Sequence, residues 1–149
     1  MLGNFHRRAA YLVLALIFAS GLAHFVLHQF FPRAGEFGPL PNPAEPWLLR
    51  LHGAAAMATL VLLGSLLPLH VARFWGTRQN SAAAMAFLGI AALLIASGYG
   101  LYYLGGDDWR AACRIAHIAV GIAALPAFAL HLRRGRQLKR RVVRNYLAD

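Results

Sequence analysis

The sequence predicts an all-α fold: a transmembrane four-helix bundle with both termini cytoplasmic. Three observations predict it. Hydrophobic residues make up 59% of the 149-residue chain and charged residues 13%, where a soluble domain carries roughly 45–50% and about 25%. The chain holds four apolar stretches, each about 20 residues or longer, the length that crosses a hydrocarbon core about 30 Å thick. The connections between them are short and polar, or rich in proline. Such a composition excludes a disordered chain, and the length suits one domain.

The first stretch covers residues 9–31, behind Arg7 and Arg8. A basic start before an apolar run also fits a signal peptide. This run continues past Ala23 through Phe31 with no A-x-A pattern after it, so a retained span is expected. The segment FPRAGEFGPLPNPAEP holds five of the seven prolines and cannot be helical throughout. The second stretch covers residues 47–74, the third 81–104 and the fourth 111–132, with polar breaks near 75–80 and 105–110. Short connections force neighbouring spans antiparallel, which gives the bundle. Residues 1–132 are the bundle, and residues 133–149 a basic tail expected to lie along the membrane surface as an interfacial helix.

Orientation follows from charge. Arg7, Arg8, Arg73, Arg78 and the seven basic residues after position 132 fall on one side of the spans. Arg33, Arg50, Arg110 and Arg114 fall on the other, together with Glu36, Glu45, Asp107 and Asp108. The positive-inside rule puts the first set in the cytoplasm. The formal charge of +10 is therefore a topology and headgroup signal, and no nucleic-acid partner is expected.

Seven histidines in so apolar a chain require a reason, because an imidazole in hydrocarbon is costly unless it is bound. His52 and His70 lie on the second span 18 residues apart, on one face and about 27 Å from each other. His117 and His131 lie on the fourth span 14 residues apart, about 21 Å along the axis and within roughly 40° of one face. Spans two and four run parallel in this topology. His52 and His117 then share the outer half of the bundle, and His70 and His131 the inner half. Two pairs at two depths are what two bis-histidine haem sites require.

A flat porphyrin also needs space beside its ligands. Gly121 lies one turn from His117, and Ala56 one turn from His52, although small residues also serve close helix packing. Haem propionates need cations: Arg50 and Arg114 neighbour the outer pair, Arg73 and Arg134 the inner pair. Arginine suits a carboxylate because its planar fork donates two parallel hydrogen bonds; orientation and snorkelling are the simpler reading of each arginine singly.

His52-Gly53 and His70, with Arg114-x-x-His117-x-x-x-Gly121 and His131, resemble the bacterial di-haem membrane cytochrome b proteins. These include the cytochrome b561-type proteins and the cytochrome b subunits of respiratory formate dehydrogenases and nickel–iron hydrogenases. The likeness covers roughly residues 5–135 and all four spans. It implies two haem b groups, ligated by His52 and His117 and by His70 and His131. It also implies electron transfer across the bacterial inner membrane between a quinone pool and a partner, a periplasmic c-type cytochrome or a dehydrogenase subunit. In the formate-dehydrogenase type the first span supplies an inner ligand. His6 is the candidate here, although it lies far from Ser20-Gly21. His24 and His28, one turn apart, are alternative outer ligands, or a propionate or quinone contact with an interfacial neighbour.

Two imidazoles on one iron leave no open coordination position, which favours electron transfer over substrate oxidation. The chain has no nucleophile, phosphate loop or paired carboxylates, so an electron carrier is expected before a complete enzyme. A transition-metal carrier is the alternative, but such sites recruit carboxylate or thiolate beside imidazole. The four apolar stretches contain no Asp or Glu and one cysteine, Cys113, read as a packing residue. A non-redox membrane anchor is the third reading. Tyr99, Tyr102, Tyr103 and the three tryptophans read as interfacial aromatics. With both termini cytoplasmic, a fluorescent protein fused after Asp149 should fluoresce, and alkaline phosphatase at the same point should be inactive. Phosphatase inserted after Pro41 should be active, and the opposite pattern would reverse the topology.

Overall fold

A computed structural model describes residues 4–67 and 81–146. It is all-α, with helices α1 (Asn4–Phe30), α2 (Glu45–Leu66), α3 (Ser81–Tyr103) and α4 (Asp107–Tyr146). All four are long and apolar enough to cross a membrane. Among the described residues the only β-type pairing is an isolated bridge between Arg33 and Leu40. The chain divides into two compact units, Met1–Arg73 and Phe74–Asp149, each built on one helical hairpin. These are the elements a multi-pass four-helix membrane fold calls for.

In hydrocarbon every polar group needs a partner within the chain. Helical hydroxyls find theirs one turn back: Thr59 donates to the Ala55 carbonyl at 2.8 Å and Ser65 to Leu62 at 2.8 Å. Large apolar side chains such as Leu12, Val61, Ile115 and Leu130 remain exposed, and Ala55 is the one buried apolar residue among those described. Apolar faces of that extent fit contact with lipid chains.

In the first unit the proline-rich segment joins α1 to α2 through a short turn. Arg33 and Leu40 exchange two backbone hydrogen bonds of 2.9 Å, and Gly38 closes the turn at φ +125, a conformation that excludes a β-carbon. Asn42 ties the helix ends together. Its amide nitrogen donates to the Phe31 carbonyl at 3.1 Å, its Oδ1 accepts from Ala44 N, and its backbone N–H donates to Glu45 Oε1 at 2.8 Å. Helix α2 thus starts two residues before the expected position 47. Pro46 suits a first helical turn, where no N–H bond is lost, and a carboxylate is favoured there by the helix dipole.

In the second unit α3 and α4 run antiparallel through contacts that recur every turn or so. Phe87 packs on Phe128 with centroids 5.7 Å apart, Leu94 faces Gly121, Ser97 reaches His117, and Gly100 lies against Cys113. The link is short, with Gly106 at φ +87, and Asp107 and Asp108 open α4 where acidic groups suit the dipole. Helix α4 spans 40 residues, about 60 Å at 1.5 Å per residue, twice the thickness of the hydrocarbon core. It continues without interruption through Pro126 and beyond Leu132, so the basic tail is a helical extension of the fourth span. Arg133, Arg134 and Arg136 are exposed on it.

A β-carbon on Gly100 would sit 2.7 Å from Cys113 Sγ but an ordinary 3.7 Å from its Cβ. Gly100→Ala should therefore destabilise the protein in detergent by about 1–3 kcal/mol, the cost of overpacking. Adding Cys113→Ala should recover most of the loss, as thermal unfolding of the two variants will show.

Candidate functional site

His52 projects from α2 against α1. Its Nδ1 lies 3.0 Å from the Ile17 carbonyl oxygen and 3.1 Å from Ser20 Oγ, and the serine hydroxyl itself donates to Ile17 O at 3.1 Å. A carbonyl oxygen only accepts, so Nδ1 carries the proton and the lone pair of the neutral ring resides on Nε2. The ring seats on Gly21. A β-carbon there would lie 2.9 Å from Cε1 and 3.1 Å from Nδ1, with Nε2 farther away at 3.8 Å. The Nδ1–Cε1 edge thus faces α1.

His117 on α4 meets α3 in the same manner. Its Nδ1 lies 3.0 Å from Ser97 Oγ, and Ser97 commits its own proton to the carbonyls of Leu93 at 2.7 Å and Leu94 at 3.2 Å. The hydroxyl oxygen therefore accepts from Nδ1–H, and again Nε2 bears the lone pair. Gly98 lies beneath the ring, its missing β-carbon 3.3 Å from Cε1 and 3.7 Å from Nδ1. Farther along α4, His131 stacks on Phe87 at 5.9 Å with planes 22° apart. His70 and Arg73 lie outside the described residues.

His24 and His28 stack on α1 with centroids 6.0 Å apart and planes 6° apart. His28 Nδ1 is 2.9 Å from Glu45 Oε2, and Glu45 is buried, at 7% exposure. The pair closes the loop end of the first hairpin. Its role was hidden in the sequence because Glu45 belongs by composition to the proline-rich loop. His6 stands near the start of α1, edge-on to Phe5.

Among the arginines expected beside a propionate, Arg50 places its guanidinium carbon 4.8 Å from the centroid of Trp47, a cation–π contact, while Arg114 and Arg134 are exposed. Gly121 faces α3, where a β-carbon would make ordinary contact with Leu94 at 3.9 Å. Among the described residues no three His, Cys, Asp or Glu side chains converge as a tetrahedral protein-ligated ion requires; an axial pair needs only two.

From the sequence Ser20-Gly21 served only as a reference point for His6, and Ser97 was not singled out; both serines meet a histidine ring. A signal was present: Ala19-Ser20-Gly21 and Ala96-Ser97-Gly98 are the same tripeptide in the first and third spans. The closer seat at Gly21 makes a prediction. Gly21→Ala should lower stability by about 1–3 kcal/mol, and Gly98→Ala should cost less, because His117 stands 0.4 Å farther off; thermal unfolding in detergent compares them. No family model, curated protein or solved structure matches this chain.

Proposed function

We propose that the chain is a di-haem b-type cytochrome of a bacterial inner membrane, with both termini cytoplasmic. Its axial ligands are His52 and His117 for the outer haem iron, and His70 and His131 for the inner one. One observation carries this reading. Both His52 and His117 engage acceptors through Nδ1, so Nε2 is the ligating nitrogen on each. A ligand imidazole that donates its other N–H to an oxygen is the arrangement metal-bound histidines adopt, because it sets tautomer and ring orientation. The donor chemistry of these two imidazoles is that of a haem-iron ligand.

Bound haem b supplies reversible one-electron chemistry of its iron. With two histidines on each iron no site would remain for oxygen or substrate, which would confine the protein to electron transfer. Apolar helices exclude water from the rings. Arg50 and Arg114 would serve the propionate carboxylates of the outer haem, and Arg73 and Arg134 those of the inner one. Electrons pass between a quinone pool and a redox protein, a periplasmic c-type cytochrome or a dehydrogenase subunit. The protein is then a carrier or subunit that needs a partner enzyme for net chemistry.

Purified full-length protein should be red, contain two haems per chain and give a low-spin b-type reduced-minus-oxidised spectrum. His117→Ala and His131→Ala should each remove one haem and spare the other. A colourless preparation from haem-sufficient cells refutes the reading, and retention of both haems in both variants refutes the ligand assignment on the fourth span.

A further inference from the structure

The two units repeat one device. In each, an Ala-Ser-Gly tripeptide on the first helix faces a histidine on the second. The glycine lies under the ring and the serine hydroxyl stands at Nδ1. The loops between the paired helices differ in length, 31–44 against 104–106, and the contact is the same. A serine that merely satisfied its own hydroxyl in hydrocarbon would bond to a carbonyl on its own helix and stop there. Ser20 and Ser97 do bond to their own helices, and each also presents its oxygen to a ring on the opposite helix.

We propose that Ser20 and Ser97 are positioning residues that set the orientation and electron-donating strength of His52 and His117 as haem ligands, an inference that rests on the haem reading above. The chemistry follows from the direction of the protons. Each hydroxyl donates to a helix carbonyl, which polarises its oxygen and makes it a better acceptor. Nδ1–H donates to that oxygen, so negative character builds on the imidazole and ligand basicity rises. A more basic ligand favours the ferric iron, and the midpoint potential falls. His52 Nδ1 has the Ile17 carbonyl at 3.0 Å besides Ser20 Oγ, so losing the Ser20 hydroxyl leaves a strong acceptor in place. At His117 the Ser97 hydroxyl lies 3.0 Å from Nδ1.

The test is a redox titration of the full-length haem-loaded protein. Ser97→Ala should raise the midpoint potential of one haem, speed release of that haem by about 10-fold or more, and leave the other haem unmoved. Ser20→Ala, which leaves the Ile17 carbonyl at His52 Nδ1, should shift the potential little, and Ser97→Thr, which keeps the hydroxyl, should behave as wild type. Should Ser97→Ala fold poorly, Ser97→Cys keeps the size with a weaker acceptor and should give an intermediate shift. In full-length protein made without haem, the 15N imidazole resonances of His117 should report proton occupancy on Nδ1, and that signature should weaken in Ser97→Ala. Full haem content with unmoved potentials and an unmoved His117 resonance in Ser97→Ala overturns the positioning role and spares the haem reading. Wild-type protein that binds no haem overturns both.

Discussion

Water is absent from the hydrocarbon core, so an imidazole placed there must find its partner inside the chain. His52 and His117 meet this constraint through one contact, made twice. The histidine reaches the neighbouring helix, where a glycine admits the ring and a serine oxygen receives Nδ1–H. The contact decides the tautomer of each ring, and it decides which face of each second helix turns toward the first. In the first unit the serine of this contact, Ser20, is one of the few buried residues among those described.

Elsewhere the hairpins hold by means suited to a medium that offers no hydrophobic drive between helices. Small residues bring backbones close, as where Gly100 receives the Cys113 sulfur. The His28–Glu45 pair sits at the helix ends. Glu45 accepts from the Asn42 backbone and pairs with His28, where the proline-rich segment returns the chain. The mid-span contacts are thus sparse and directional, and the charged ones sit at an end.

Much of the fold was legible because the properties that specify it are local. Apolar runs of sufficient length mark the spans, prolines from Pro32 to Pro46 break the helix, and the helical rise places His117 and His131 about 21 Å apart with no knowledge of their neighbours. Helix boundaries were less legible. Glu45 looked like loop, yet a carboxylate and a following proline suit a first helical turn. The basic tail read as an element behind the fourth span, and α4 runs through Leu132 to Tyr146 as one helix.

By itself, then, the chain's residue order determined how many helices form, how far apart the histidines of one span lie and that no acidic group shares its apolar runs. Only the tertiary structure decided what each imidazole touches: Ser20 and Ile17 for His52, Ser97 for His117, Glu45 for His28. The physical reason is rotation. Spacing along a helix is set by its own geometry, whereas the angle at which one helix turns toward another depends on glycines and hydroxyls 20 or more residues away in the chain.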